Sequence, residues 1–499
     1  MQAEKPNETS PIPLAERASS GFLWLFIPTL VGKASGFIGQ LILARLLAPR
    51  DFGLVALAYS IATLPKLLRD NGLLQVLIGK QNKIDRWVSA VFWFDLTAGL
   101  LATVALAVAA PFCAVYFHQP RLTGLIWLVA SGILINALSS VPMARLYYQL
   151  DFRKIATAGL LYNLGVLITT VALAFLGFGA YSLLIPLPLL SAIRLIQYWR
   201  WAPSHIRWRL GLMRWRAIAR DAFPMAAGVF IYSLISALPS VALGRIRTVA
   251  AAGIFYFGWN LSTQTLQLLS FNLMQVLLPV LTGLKDDLPR QAAAFLRVMR
   301  LVVFITTPAC AVVAVLAKPA VVMIFGSKWV ESAQVLAILS LGTPFALISS
   351  PLVSFQQARH RYAFSLYMSL GMLALAIPLT IMGAWLQGAI LVAVGVVLQS
   401  VIGIPIMLYL SIRDCAAGWR EVISVFVPML PLGALAVLPL YVLDSLCPQL
   451  AAHNAVNVPA GCALAAIIYF GLAPFICPVE SGELWSRAAG LAGRIFQRR

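Results

Sequence analysis

Residues Gly21–Lys80 read GFLWLFIPTLVGKASGFIGQLILARLLAPRDFGLVALAYSIATLPKLLRDNGLLQVLIGK, two long apolar segments joined by the polar turn Ala48-Pro49-Arg50-Asp51. An apolar helix of about 20 residues crosses about 30 Å of hydrocarbon, so each segment is long enough to span a bilayer. Four ionisable residues interrupt them: Lys33 in the first, and Lys66, Arg69 and Asp70 in the second. A charge at membrane depth costs roughly 2.5–3.5 kcal/mol even on the lenient insertion scale, so such groups face a cavity or a partner. Lys66, Arg69 and Asp70 are spaced i, i+3, i+4 and share one helical face. Three cations against one anion leave a net positive site, which suits an anionic group such as phosphate. Arg would grip it through two parallel N–H bonds and Lys would act as a point charge.

Each residue also has a plainer reading. Lys33 lies about 12 residues into its helix, roughly 18 Å along, where snorkelling to the interface is a stretch but pairing with Asp95 is open. Arg69 and Asp70 would also make a self-neutralised structural pair. Lys66 follows Pro65, which frees a backbone carbonyl and kinks a helix. Such a kink suits a moving gate, although proline is common in membrane helices.

The rest of the chain extends the pattern. Of 499 residues 61% are hydrophobic and 11% charged, against about 25% charged in a soluble domain. Mean hydropathy is +0.88. Apolar runs recur from end to end, predicting an all-α integral membrane protein of about 14 transmembrane helices with no soluble domain. The runs are 21–44, 52–78, 87–112, 122–146, 155–176, 181–199, 218–244, 251–277, 295–317, 333–357, 364–384, 389–411, 420–443 and 457–476. The short breaks Gly177-Phe178-Gly179-Ala180 and Gln387-Gly388 force antiparallel neighbours.

The net charge of +20 follows the positive-inside rule better than it argues for nucleic acid. Twenty-seven Lys and Arg fall in the tails and the loops after even-numbered spans, near 80–86, 145–154, 194–220, 285–300, 359–361 and 413–420. Seven fall on the other side: Arg45, Arg50, Arg121, Arg245, Arg247, Lys318 and Lys328. Both termini are therefore expected in the cytoplasm.

An internal repeat is also visible. A shift of 200 residues superposes Leu43-Ala44-Arg45 on Leu243-Gly244-Arg245, Gly53 on Gly253 and Gln75-Val76-Leu77 on Gln275-Val276-Leu277. A shift of 208 superposes Pro111, Phe117, Gln149 and Arg153 on Pro319, Phe325, Gln357 and Arg361. Six spans is an even number, so the two copies should be parallel repeats with a cavity between them. The expected division is a cytoplasmic tail at 1–20, an N-lobe of spans 1–6 at 21–199 and a basic cytoplasmic loop at 200–217. A C-lobe of spans 7–12 follows at 218–411, then spans 13 and 14 at 412–476 and a basic cytoplasmic tail at 477–499.

Asp70 and Asp95 are the acidic residues placed well inside spans, either as ion-coupling groups or as counter-ions to Lys66, Arg69 or Lys33. On span 8, Asn260, Gln264 and Gln267 share a face at i, i+4, i+7 and would line a polar path or bond between helices. Arg45 and Arg245 are expected to anchor helix ends at the outer interface. The interleaved arginines and tryptophans of 199–216 suggest an interfacial segment on anionic headgroups rather than a nucleic-acid surface. The six cysteines stand singly and the four histidines fall at loops or span ends, so neither disulfide framework nor metal site is indicated. With no P-loop, nucleophile elbow or zinc motif, no catalysis and no cofactor are expected.

The segment Leu43-Ala-Arg-Leu-Leu-Ala-Pro-Arg-Asp-Phe-Gly-Leu-Val-Ala with Tyr59 resembles the first external turn of the bacterial polysaccharide transporter family. Asp70-Asn71-Gly72-Leu73 with Gln75, and Tyr147-Tyr148-Gln149-Leu150-Asp151-Phe152-Arg153-Lys154, are similar to that family's loops after spans 2 and 4. The likeness is strongest over spans 1–6 and is to the exopolysaccharide, colanic-acid and O-antigen type. It implies a flippase in the bacterial inner membrane that moves an oligosaccharide repeat unit on polyprenyl pyrophosphate to the outer leaflet. Lys33, Lys66 and Arg69 would then meet the pyrophosphate. It also implies H⁺ or Na⁺ as a possible coupling ion, and a polymerase and chain-length machinery as possible partners beside membrane lipids. The rival is a cation-coupled small-molecule exporter on the same architecture, which would want more acidic charge in its cavity.

Overall fold

A computed structural model describes residues 14–66, 84–149, 151–203, 212–284, 287–359, 361–415, 418–427, 431–434 and 437. All regular structure among these residues is helical. The chain forms two compact units, residues 1–230 and 231–499.

The first unit holds α1 (Leu14–Leu46), α2 (Pro49–Lys66), α3 (Ile84–Tyr116), α4 (Arg121–Tyr148), α5 (Phe152–Phe175), the single turn α6 (Tyr181–Leu184), α7 (Pro186–Trp201) and the start of α8 (Leu212–Ile246). The second holds the rest of α8, α9 (Val249–Gly283), α10 (Leu288–Phe325), α11 (Val330–Ala358), α12 (Tyr362–Leu386), α13 (Ala389–Ile412) and α14 (Trp419–Phe426). Each of the first twelve apolar runs meets one of these helices, α6 and α7 together forming the sixth. Among the described residues eight helices are long and apolar enough to cross a membrane. The protein is thus a polytopic helical membrane protein. Most of run 13 and all of run 14 lie outside the described residues.

The helices extend past the apolar runs because their ends are capped in polar sequence. At α10 the Asp287 carboxylate accepts the Arg290 N–H at 3.1 Å and Pro289 stands in the first turn, so the helix starts seven residues before the run expected at 295. The turn between α1 and α2 closes in the same way. Pro49 opens α2, and Asp51 accepts the Ala48 N–H at 3.1 Å. The short breaks turn where expected: Gly177, Gly179 and Gly388 all have positive φ, which glycine adopts without a Cβ penalty.

Packing within each unit follows the repeat. In the first unit α3 lies on α4, α4 on α2 and on α7, and α5 on α7. Six spans later α10 lies on α11, α11 on α9 and on α13, and α12 on α13. Small residues permit the close approaches. A Cβ on Gly99 would stand 2.8 Å from that of Ala137, and one on Gly383 would meet the Leu391 carbonyl at 2.8 Å. Polar side chains then bond across helices, as Thr103 does to the Ala130 carbonyl at 3.1 Å and Gln356 to Ser411 at 3.0 Å.

Candidate functional site

Lys33 sits half-buried on α1, whose neighbour is α5. One turn back, the Asn163 amide of α5 donates to the Pro28 carbonyl at 3.2 Å and lies against Gly32. Proline cannot donate to its own helix, and this contact ties α5 to the segment where α1 is weakest. Asp95 on α3 is only 2% exposed, and neither it nor Lys33 is free of polar partners. Lys66 is the last residue of α2. Its side chain, Arg69, Asp70 and the side chain of Gln267 lie outside the described residues.

On α9 Asn260 donates to the Tyr256 carbonyl at 3.0 Å, within its own helix, and Gln264 is half-buried with a partner of its own. Helix-to-helix bonding here runs instead through Ser262 and Thr343, 3.2 Å apart, and from Ser332 to the Ile254 carbonyl at 3.0 Å. Asn260 is not spent on that packing.

A further cation inside the first unit escaped the sequence reading, which counted Arg194 with the basic loop at 194–220. α7 runs to Trp201, leaving Arg194 two turns inside the helix. Its Nη2 donates to Asn136 Oδ1 of α4 at 3.0 Å, and its guanidinium lies 4.3 Å from the centre of the Tyr162 ring of α5. Asn136 in turn donates to the Gly132 carbonyl at 2.8 Å, which fixes the direction of its oxygen. The Arg194 Nε is buried with no hydrogen-bond partner among the described residues. The available signal was an arginine flanked by Ile193, Leu195 and Ile196 with the Asn136 amide inside another apolar run.

The tryptophans flanking that loop also make contacts within the first unit. Trp199 donates to the Leu138 carbonyl at 3.1 Å and meets Phe92 edge to face. Trp215 donates to the Ala90 carbonyl at 3.1 Å and meets Phe94 the same way. Trp199 thus packs against α3 and α4 and Trp215 against α3, each half-buried indole N–H taking a carbonyl in reach. Trp208, Arg207 and Arg209 lie outside the described residues.

Other arginines are structural. Arg50 donates to Gln119 at 2.8 Å, joining the first turn of α2 to the turn before α4. Arg359 donates to the Ser411 carbonyl at 3.0 Å, and Arg361 pairs with Asp414. Arg45 and Arg245 stand exposed in the last turns of α1 and α8 and have partners, and Arg247 grips the end of α12, donating to the Ala384 and Trp385 carbonyls. No group of three His, Cys, Asp or Glu side chains placed to hold a metal ion occurs among the described residues.

The family model described as "Polysaccharide biosynthesis protein" matches residues 42–334. The succinoglycan biosynthesis transport protein ExoT of Rhizobium meliloti is 28% identical over 61% of this chain, and the match spans 62% of that relative's length. The lipopolysaccharide biosynthesis protein WzxC of Escherichia coli is 23% identical over 83% of this chain and 85% of its own. Among solved structures, the lipid II flippase MurJ in its inward closed conformation has a TM-score of 0.70 at 13% identity, covering 91% of this chain and 98% of its own. An inward-facing multidrug resistance MATE family transporter scores 0.57 at 15% identity, covering 80% and 99%. At those identities the structures establish a shared fold.

Proposed function

Because the chain belongs to this family of polysaccharide biosynthesis proteins, we propose that it is a flippase for lipid-linked oligosaccharides. Its substrate is an oligosaccharide repeat unit on polyprenyl pyrophosphate, moved by alternating access from the cytoplasmic to the outer leaflet for exopolysaccharide, capsule or O-antigen synthesis. The family match over more than half the chain carries this reading, and the relatives named for succinoglycan and lipopolysaccharide biosynthesis support it.

The chemistry agrees. The pyrophosphate is the part of such a lipid that hydrocarbon excludes, since a bare charge loses its hydration there. Lys33, Lys66 and Arg69 supply the replacement donors, with Asp70 and Asp95 as counter-ions or as sites for a coupling H⁺ or Na⁺. Asn260, Gln264 and Gln267 line the way for the sugars, and the prenyl tail stays in lipid. The loop charges favour cytoplasmic termini in a bacterial inner membrane. A polymerase and chain-length machinery would receive the product.

The test uses a strain lacking the protein. Lost surface polymer, lipid-linked repeat units accumulating on the cytoplasmic leaflet and unchanged drug tolerance support the flippase. Intact polymer with drug hypersensitivity would assign the chain to cation-coupled export instead, with Asp70 and the buried Asp95 as its acidic candidates.

A further inference from the structure

Among the described residues of the first unit, the Arg194 guanidinium keeps a buried N–H that no partner satisfies. A guanidinium away from bulk water needs its positive charge compensated by its surroundings. What the described residues supply is neutral: one amide oxygen from Asn136 and the face of Tyr162. An aromatic face and a single hydrogen bond stabilise a guanidinium without cancelling its charge. The contrast within the same chain is plain, because Arg361 has the Asp414 carboxylate and Arg247 two helix-end carbonyls. Arg194 instead keeps a buried Nε–H without a partner among the described residues.

Its surroundings hold it in one orientation. Asn136 is braced by Gly132, and Tyr162 sets the plane of the guanidinium. Arg194, Asn136 and Tyr162 come from three different helices and are all half-buried, so the group is neither sealed in a core nor free on a surface. A fixed guanidinium fork matches the paired oxygens of a carboxylate or phosphoryl group, and its rigidity lowers the ordering cost of binding.

We propose that Arg194, with Asn136 and Tyr162, forms an oxyanion subsite for the transported glycolipid. This rests on the flippase reading above. The oxyanion has two possible sources in such a substrate, the pyrophosphate and the carboxylate of an acidic sugar. In either case the ligand takes the N–H donors left on the two Nη groups of Arg194 and supplies the missing negative charge. The subsite is separate from Lys33, Lys66 and Arg69 in sequence and stands on α4, α5 and α7.

The experiment is equilibrium binding to the full-length protein in detergent, with inorganic pyrophosphate and glucuronate as probes and glucose as the neutral control. Wild type, Arg194→Gln, Arg194→Lys and Asn136→Ala are compared, with unfolding midpoints measured for each. Saturable binding of one probe, weakened by about tenfold in Arg194→Gln at an unchanged midpoint, is the expected result. Arg194→Lys, which keeps the charge and loses the fork, should fall between. Preference for pyrophosphate assigns the phosphoryl group, and preference for glucuronate assigns an acidic sugar. Wild type that binds neither probe overturns the subsite, as does Arg194→Gln that binds as wild type does. Should Arg194→Gln fail to fold, undiminished binding in both Arg194→Lys and Asn136→Ala overturns it. Polymer export scored in the same strains separates the two ideas: wild type that restores export but binds neither probe removes the subsite alone, whereas wild type that restores no polymer removes the flippase reading itself.

Discussion

Arg247, in the turn between α8 and α9, donates from Nε to the Ala384 carbonyl at 2.8 Å and from Nη2 to the Trp385 carbonyl at 2.6 Å. The last carbonyls of a helix have no partners in their own ladder, and a cation there also meets the negative end of the helix dipole. One side chain therefore closes the end of α12 against a turn 137 residues earlier in the chain. Hydrogen bonds to charged groups contribute about 1.5–3 kcal/mol each at most. Arg247→Ala should lower stability by about 1–3 kcal/mol while Arg247→Lys recovers part of it, measured by thermal or denaturant unfolding in detergent. Because the contact lies at a helix end and not among the intramembrane cations, export per folded molecule should be unchanged.

The proposed pyrophosphate role of Lys33, Lys66 and Arg69 predicts the opposite pattern. Lys66→Ala and Arg69→Ala should cut polysaccharide export without lowering the amount of protein in the membrane, and Lys33→Gln should do the same. Surface polymer and membrane protein are quantified in a complemented deletion strain. Normal export by all three variants would refute a pyrophosphate role for these residues.

How much of this was readable in advance depends on the range over which the information is local. Twelve helices were legible because hydrocarbon demands long apolar runs, and the turns at Gly177–Ala180 and Gln387-Gly388 because only certain residues turn so sharply. Helix ends were less so, since Asp287 extends α10 by capping it in polar sequence that no apolar count registers. Arg194 was misplaced for the same reason. Proximity to a charged break made it look like a loop residue, while its partners Asn136 and Tyr162 are 58 and 32 positions away in sequence. Trp199 and Trp215 sit in a stretch whose composition suits a membrane surface, and the Leu138 and Ala90 carbonyls they bond are visible only in three dimensions.

Gly32 and Asn163 give a test of how α1 packs on α5. A Cβ on Gly32 would stand 2.6 Å from the Asn163 amide nitrogen, closer than atoms tolerate. Gly32→Ala should therefore cost about 1–3 kcal/mol by overpacking, or displace the amide from the Pro28 carbonyl. Asn163→Ala removes both the clash and the bond. The double variant should be less impaired than the sum of the single ones, a coupling of about 0.5–3 kcal/mol measured in a double-mutant cycle by unfolding. Strict additivity would show that the two side chains do not meet.

In the second unit Trp329 is fully buried and stacks on Phe257 with ring centres 3.9 Å apart, and Phe325 meets Phe257 edge to face. The three rings join α9 to the turn between α10 and α11, where Gly326 adopts φ 99° to bring the chain round. Trp329→Ala would leave a cavity that rigid helices fill poorly, at a cost of about 3–5 kcal/mol, whereas Trp329→Phe keeps a stacked ring and should cost less. The measure is the amount of folded protein and its unfolding midpoint in detergent. Trp329→Ala should also lower export in proportion to the folded protein that remains. A loss of export in Trp329→Phe at a wild-type midpoint would instead place this cluster in the transport cycle, since nothing in its packing alone would then account for it.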